Sequence, residues 1–146
     1  VAALMPLKGD FSKLVRWSAI AKSGGRVLEA ASHGMGTSTL ALIDEGFDKE
    51  QDPYGQRWAP KKRPDGRRVL QGPTGRLRRW RLYRVDRHGY MAGPIVDYAA
   101  PHQMPLRGRR PRRMMIPTTE RGIPMRWRVV LARAALRAMY QHFKGE

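Results

Sequence analysis

Four histidines, twelve carboxylates and five serines are the side chains of this 146-residue chain that could do metal, acid–base or nucleophilic chemistry. Their spacing offers little of it. His33, His88, His102 and His142 are scattered, with no pair at i, i+4 and no carboxylate at ligand spacing, so no metal site is expected. His102 reads as a residue that bonds backbone near a turn. The serines Ser12, Ser18, Ser23, Ser32 and Ser38 stand in no nucleophile-elbow context. The glycine pairs in His33-Gly34-Met35-Gly36 and Gly72-Pro73-Thr74-Gly75 lack the strand–loop–helix setting and the following Lys-Ser/Thr of a phosphate loop. Beyond residue 52 the only acids are Asp65, Asp86, Asp97, Glu120 and Glu146. Asp65 and Asp86 fall in turns, where aspartate serves local backbone bonding. Cysteine is absent, which excludes disulfides, zinc ribbons, iron–sulfur clusters and thiol chemistry. The residues therefore predict neither an enzyme nor a cofactor.

Charge says more than catalysis does. The net charge is +17. Residues 1–52 hold six Lys and Arg against seven Asp and Glu, whereas the rest of the chain holds 23 against five. The whole excess thus sits in the last two-thirds. Arginine outnumbers lysine 22 to 7, which supplies planar groups able to grip carboxylate or phosphate two bonds at a time. Arg63, Arg67 and Arg68 lie in one basic loop, residues 61–68. Arg107, Arg109, Arg110, Arg112 and Arg113 lie in a second, residues 106–113. So basic a body expects an anionic partner, nucleic acid or acidic protein. No helix-turn-helix, RNP or zinc-finger pattern is present, which argues against sequence-specific reading.

These loops must hang on regular elements. Phe11, Leu14, Val15, Trp17 and Ile20, capped by Asp10, predict a helix over residues 9–22, stopped by Ser23-Gly24-Gly25. A second helix is expected from Arg26 to Asp48, with Val27, Leu28, Ala31, Leu40, Ile43 and Phe47 on its apolar face. Gly34 and Gly36 each cost about 1 kcal/mol against Ala in a helix interior, so a break or bend is expected there. Asp52-Pro53-Tyr54-Gly55 suits a type I turn. Trp58 follows in an extended stretch before Pro60 and reads as a buried anchor. Thr74 is placed to cap a short turn that brings Leu77 to Trp80. Strand alternation begins at Trp80, with Trp80, Leu82 and Arg84 on one side and Arg81, Tyr83 and Val85 on the other. Residues 86–89 turn the chain into a returning strand, residues 90–93. Residues 98–103 form a helical turn or an irregular crossing, and residues 113–116 are short enough for a further strand. Pro124 opens the clearest element, a helix from Met125 to Phe143 with Trp127, Val130, Leu131, Ala134, Met139 and Phe143 on its apolar stripe.

The chain is long enough for one domain with its own core, residues 1–146. It divides into a helical part (1–50), a part of sheet and loops (51–123) and the last helix (124–143). No run of eighteen apolar residues could span a bilayer, and the short apolar start lacks the basic residues of a secretory leader, so synthesis in the cytoplasm and no membrane partner are expected.

One order of motifs carries a resemblance. Phe47 is followed by Asp52-Pro53-Tyr54-Gly55-Gln56-Arg57-Trp58-Ala59-Pro60, then Leu70 and Gly72-Pro73-Thr74-Gly75-Arg76-Leu77. Tyr98-Ala99-Ala100-Pro101-His102-Gln103 comes next, and Pro111-Arg112-Arg113 closes the series. Over residues 40–143 this resembles the tail-completion, or virion-morphogenesis, proteins of tailed bacteriophages. The chain departs from that pattern at Pro101, at Met104-Pro105 and in the shortness of the 61–68 loop.

The resemblance implies an α+β subunit: N-terminal helices, a small antiparallel sheet with long basic loops, and a C-terminal helix packed on the sheet. It implies a homo-oligomeric ring, most simply a hexamer, at the head–tail junction of a virion assembled in the host cytoplasm. Head-closure or connector protein and tail terminator or tail-tube protein would be its neighbours, with DNA in the channel. In this setting the two arginine loops would line the lumen or grip an acidic partner. Pro53, Gly55, Trp58, Gly75, Leu77, Tyr98 and His102 would be structural. The competing reading, from charge alone, is a small basic protein that binds nucleic acid without sequence preference.

Overall fold

The computed structural model describes residue 18, residues 25–104 and residues 112–145. Of the helix expected over residues 9–22 only Ser18, in helical conformation, is described, and most of the second arginine loop lies outside the described residues. Helix α1 spans Arg26–Lys49. After a loop-rich stretch come a 3-10 turn at Arg76–Arg78, strand β1 at Trp80–Asp86 and strand β2 at Gly89–Pro94. A second 3-10 turn at Asp97–Ala99 leads into the single-turn helix α2, Ala100–Gln103. Helix α3 spans Met125–Lys144. The fold is α+β: a first helix, a two-stranded antiparallel sheet, and a C-terminal helix packed against the first helix and the sheet. Helix α1 is the main partner of both α3 and the hairpin.

Helix α1 is unbroken through Gly34 and Gly36, contrary to the expected interruption. The two glycines are there for approach. A Cβ on Gly34 would stand 3.0 Å from both the Ala134 carbonyl oxygen and the Ala138 Cβ of α3. A Cβ on Gly36 would stand 2.8 Å from Leu82 of β1. The helix gives up local propensity at these positions and in return seats a helix and a sheet against its backbone. Thr39 ties it to the hairpin as well: its hydroxyl lies 2.9 Å from the Met35 carbonyl and 2.6 Å from the Tyr90 hydroxyl.

The hairpin register pairs Trp80 with Pro94, Arg81 with Gly93 and Leu82 with Ala92, then slips so that Arg84 pairs with Met91 and Val85 with Tyr90. Tyr83 is the extra residue of a β-bulge. The bulge reverses the parity of the strand. Val85 therefore returns to the half-buried side with Trp80 and Leu82, and Arg84 joins Arg81 and Tyr83 on the exposed side. A simple alternation assigns Val85 and Arg84 the other way round.

Phe47 is fully buried and meets Trp58 edge-on at 5.1 Å between ring centroids. Around this pair the core gathers Leu42 and Ile43 of α1, Val69, Leu77, Val96, Ala99 and Met115 from the connections, and Trp127 and Leu131 of α3. No strand forms at residues 113–116. The Gln103 side chain takes the place of a neighbouring strand there: its Oε1 accepts from the Met115 and Ile116 N–H groups at 2.8 and 3.3 Å, and its Nε2 donates to the Ile116 carbonyl at 2.8 Å. Thr74 makes no cap; Gly75, at φ 60°, stands at the start of the Arg76–Arg78 turn. Pro124 precedes the first turn of α3 as its N-cap.

Candidate partner-binding surface

The motif residues converge on one side of the core. Asp52 is buried, and its Oδ1 accepts from the Tyr54 and Gln56 N–H groups, both at 2.9 Å. The Gly55 N–H closes the turn on the Asp52 carbonyl at 3.0 Å, with Gly55 at φ 86°. Pro53 and Gly55 thus hold the turn expected of them. The turn in turn presents Tyr54, whose hydroxyl donates to the Gly122 carbonyl at 2.7 Å and accepts from the Thr118 N–H at 3.0 Å. Arg121 stacks on the Tyr54 ring at 3.7 Å. Trp58 is buried, and its indole N–H donates to the Met114 carbonyl at 3.0 Å. Residues from 52 to 58 therefore fix the segment that leads into α3.

Leu77, Tyr98, His102 and Arg113 share the wall of one open cleft of about 380 Å³, which Lys61 and Arg76 also line. Gly75 stands beside it in sequence. Leu70, at its edge, holds φ 61°, a conformation costly for a bulky side chain. Leu77 is the buried floor, and Tyr98 is half exposed at the wall. Its lining holds no carboxylate; Lys61 pairs with Asp65 at 2.7 Å and Arg113 is spent on backbone carbonyls, which leaves Arg76 as the lining cation with no ion pair among the described residues.

The eight arginines singled out by sequence divide by use. Arg68 donates to the Asp48 carbonyl at 2.6 Å and lies 3.7 Å from the Glu50 carboxylate, so it ties the loop to the end of α1. Arg113 donates to the carbonyls of Ala59 and Pro60 at 3.0 and 3.1 Å. Burial pushes its guanidinium below the usual arginine value. Arg112 is exposed and donates to the Gln103 carbonyl at 3.1 Å. Arg63 and Arg67 are exposed and make no ion pair among the described residues. Arg107, Arg109 and Arg110 lie outside the described residues.

Three acids near the end of α1 hold elements together. Asp44 and Asp48 both pair with Arg78 of the 3-10 turn. Glu45 takes Lys49 of its own helix and both bonds of Arg126 from α3, the latter at 2.6 Å. The hydrogen bond from Arg78 holds the Asp44 carboxyl below the usual carboxylate range. The bonds from Lys49 and then Arg126 do the same for Glu45. Gln103, Tyr54 and these acids carry roles that residue type alone does not announce. For Asp44 and Glu45 a signal exists in the crowding of four acids at 44, 45, 48 and 50 ahead of a basic chain.

Among the described residues no three His, Asp or Glu stand together as metal ligands, and no helix is long and apolar enough to cross a membrane. No family model matches the chain, and no curated protein or solved structure matches it.

Proposed function

We propose that this protein is a structural subunit of a tailed-phage virion, a tail-completion or neck component that works by closing into a ring with copies of itself. The observation that carries the reading is the ordered motif series from Asp52 to Arg113. Its residues knit the turn, the cleft and the entry to α3 into one scaffold, and that is what a subunit needs in order to hold loops toward its neighbours. A second feature supports it. Val129, Leu136 and Tyr140 are exposed along α3, with Leu136 at 62% and Tyr140 at 60%, an apolar line for which a neighbouring copy is a natural cover. The cationic cleft and the Arg63–Arg67 loop then offer contacts to connector or tail proteins and to DNA in the channel. No reaction and no cofactor belong to this role. Negative-stain microscopy of the purified chain tests it. Rings of one diameter support the reading; single subunits at every concentration, with or without connector and tail-tube proteins, contradict it.

A further inference from the structure

The outer face of the hairpin is a separate cationic surface that none of the motifs includes. The bulge places Arg81, Tyr83 and Arg84 together on the exposed side of β1. Arg79 is exposed at the base of the hairpin, where the Ile95 N–H donates to its carbonyl at 3.0 Å and extends the ladder by a rung. Opposite Arg81 stands Gly93, and the Tyr83 ring lies over it: a Cβ there would come 2.7 Å from Tyr83 Cε2. The Tyr83 hydroxyl is anchored on the Pro94 carbonyl at 2.7 Å, and the Arg81 guanidinium stacks on the ring at 4.4 Å. Met91 is exposed beside Arg84, its cross-strand partner.

Two of its three charges are available. Among the described residues neither Arg79 nor Arg81 makes an ion pair, and the one acid of the strand, Asp86, pairs with Arg84 at 2.6 Å while also accepting from the His88 N–H at 2.8 Å. Arg79 and Arg81 are two residues apart, about 6.7 Å along a strand. A two-stranded ribbon is the width that the major groove of duplex DNA admits. Arginine grips phosphate oxygens two bonds at a time, so a row of guanidiniums suits contact with the backbone of the duplex.

We infer that this hairpin face binds the phosphate backbone of duplex DNA through Arg79, Arg81 and Arg84. An acidic protein surface is the competing occupant. A single narrow ribbon carrying three guanidiniums favours the regularly charged duplex. The inference stands on the hairpin and not on ring closure, so mass measurements that decide the ring leave it untouched.

The test is fluorescence anisotropy of the full chain with a labelled 20-base-pair duplex between 50 and 200 mM salt, with a thermal melt of each variant to show that it is folded. The triple variant R79Q/R81Q/R84Q should lose at least tenfold in affinity at 100 mM salt. Its slope of log affinity against log salt should become shallower by about 2 to 3, near 0.9 for each phosphate no longer neutralised. The variant R57Q/R133Q/R137Q removes the same charge from exposed arginines outside the hairpin and the two loops and should change affinity by less than threefold. Equal losses in the two variants would mean attraction to net charge alone and overturn the inference. So would unchanged binding in the hairpin variant, no salt-dependent binding by the wild type, or displacement of the duplex by polyglutamate at equal charge.

Discussion

Gln103 is the side chain on which the region before α3 depends most. It makes three hydrogen bonds to the backbone of Met115 and Ile116 in place of a strand. Gln103→Leu fills the space but leaves those backbone groups unpaired, and should cost about 2–4 kcal/mol in denaturant unfolding. Gln103→Glu keeps the acceptor for Met115 N–H yet sets a carboxylate oxygen against the Ile116 carbonyl, so it should also destabilise at neutral pH. Residues of this kind are nearly silent in sequence. Turn chemistry made Asp52, Pro53 and Gly55 legible, because each position of a turn demands a particular backbone preference. Trp58 was legible because a lone tryptophan between two turns has little use except burial. Gln103 acts through what it reaches across twelve residues, and no local preference records that reach.

Elements were legible where one preference dominated. Met125–Lys144 contains no Gly or Pro, follows a proline and carries its apolar residues at helical spacing, and the helix forms there. Helix α1 defeats local reasoning because Gly34 and Gly36 lower its propensity while tertiary approach demands them. That approach makes a prediction. Gly34→Val would drive a branched side chain into the Ala134 backbone, and should destabilise by about 1–3 kcal/mol, read from the denaturant midpoint. The hairpin shows a second limit, since the bulge at Tyr83 inverts the faces of a strand and leaves no mark in the alternation itself.

The elements are also tethered electrostatically, through Asp44 to the 3-10 turn and through Glu45 to α3. Both carboxyls titrate below their ordinary values. Their contribution is therefore full above the ordinary carboxylate range and is lost as pH falls through the lowered values. These pairs are partly exposed, so each contributes on the order of 0.5 kcal/mol. Melting temperatures of the wild type and of D44N/E45Q should differ at pH 7, and the gap should narrow steadily as the pH falls below the ordinary carboxylate range. A gap that does not narrow as the pH is lowered would show that the two carboxylates do not act through their charge.

At the scale of the whole molecule, charge and surface ask for company. Asp44, Glu45 and Asp48 of α1 are consumed internally, the described loop and hairpin arginines outnumber the carboxylates near them, and α3 leaves Leu136 and Tyr140 in solvent. The proposed ring of copies with anionic neighbours would meet both demands. The arginine content was plain from composition, but which arginines are spent inside was not. Arg68 and Arg113 serve the fold, and only their partners' positions reveal it. Native mass spectrometry of the purified chain tests the central claim most directly. The ring account predicts a closed multiple of the 16.7 kDa subunit, most simply six, and its dissociation to single folded subunits in L136D/Y140D. A wild-type protein that stays at the mass of one subunit up to the highest concentration tested, alone and with connector protein, would contradict it.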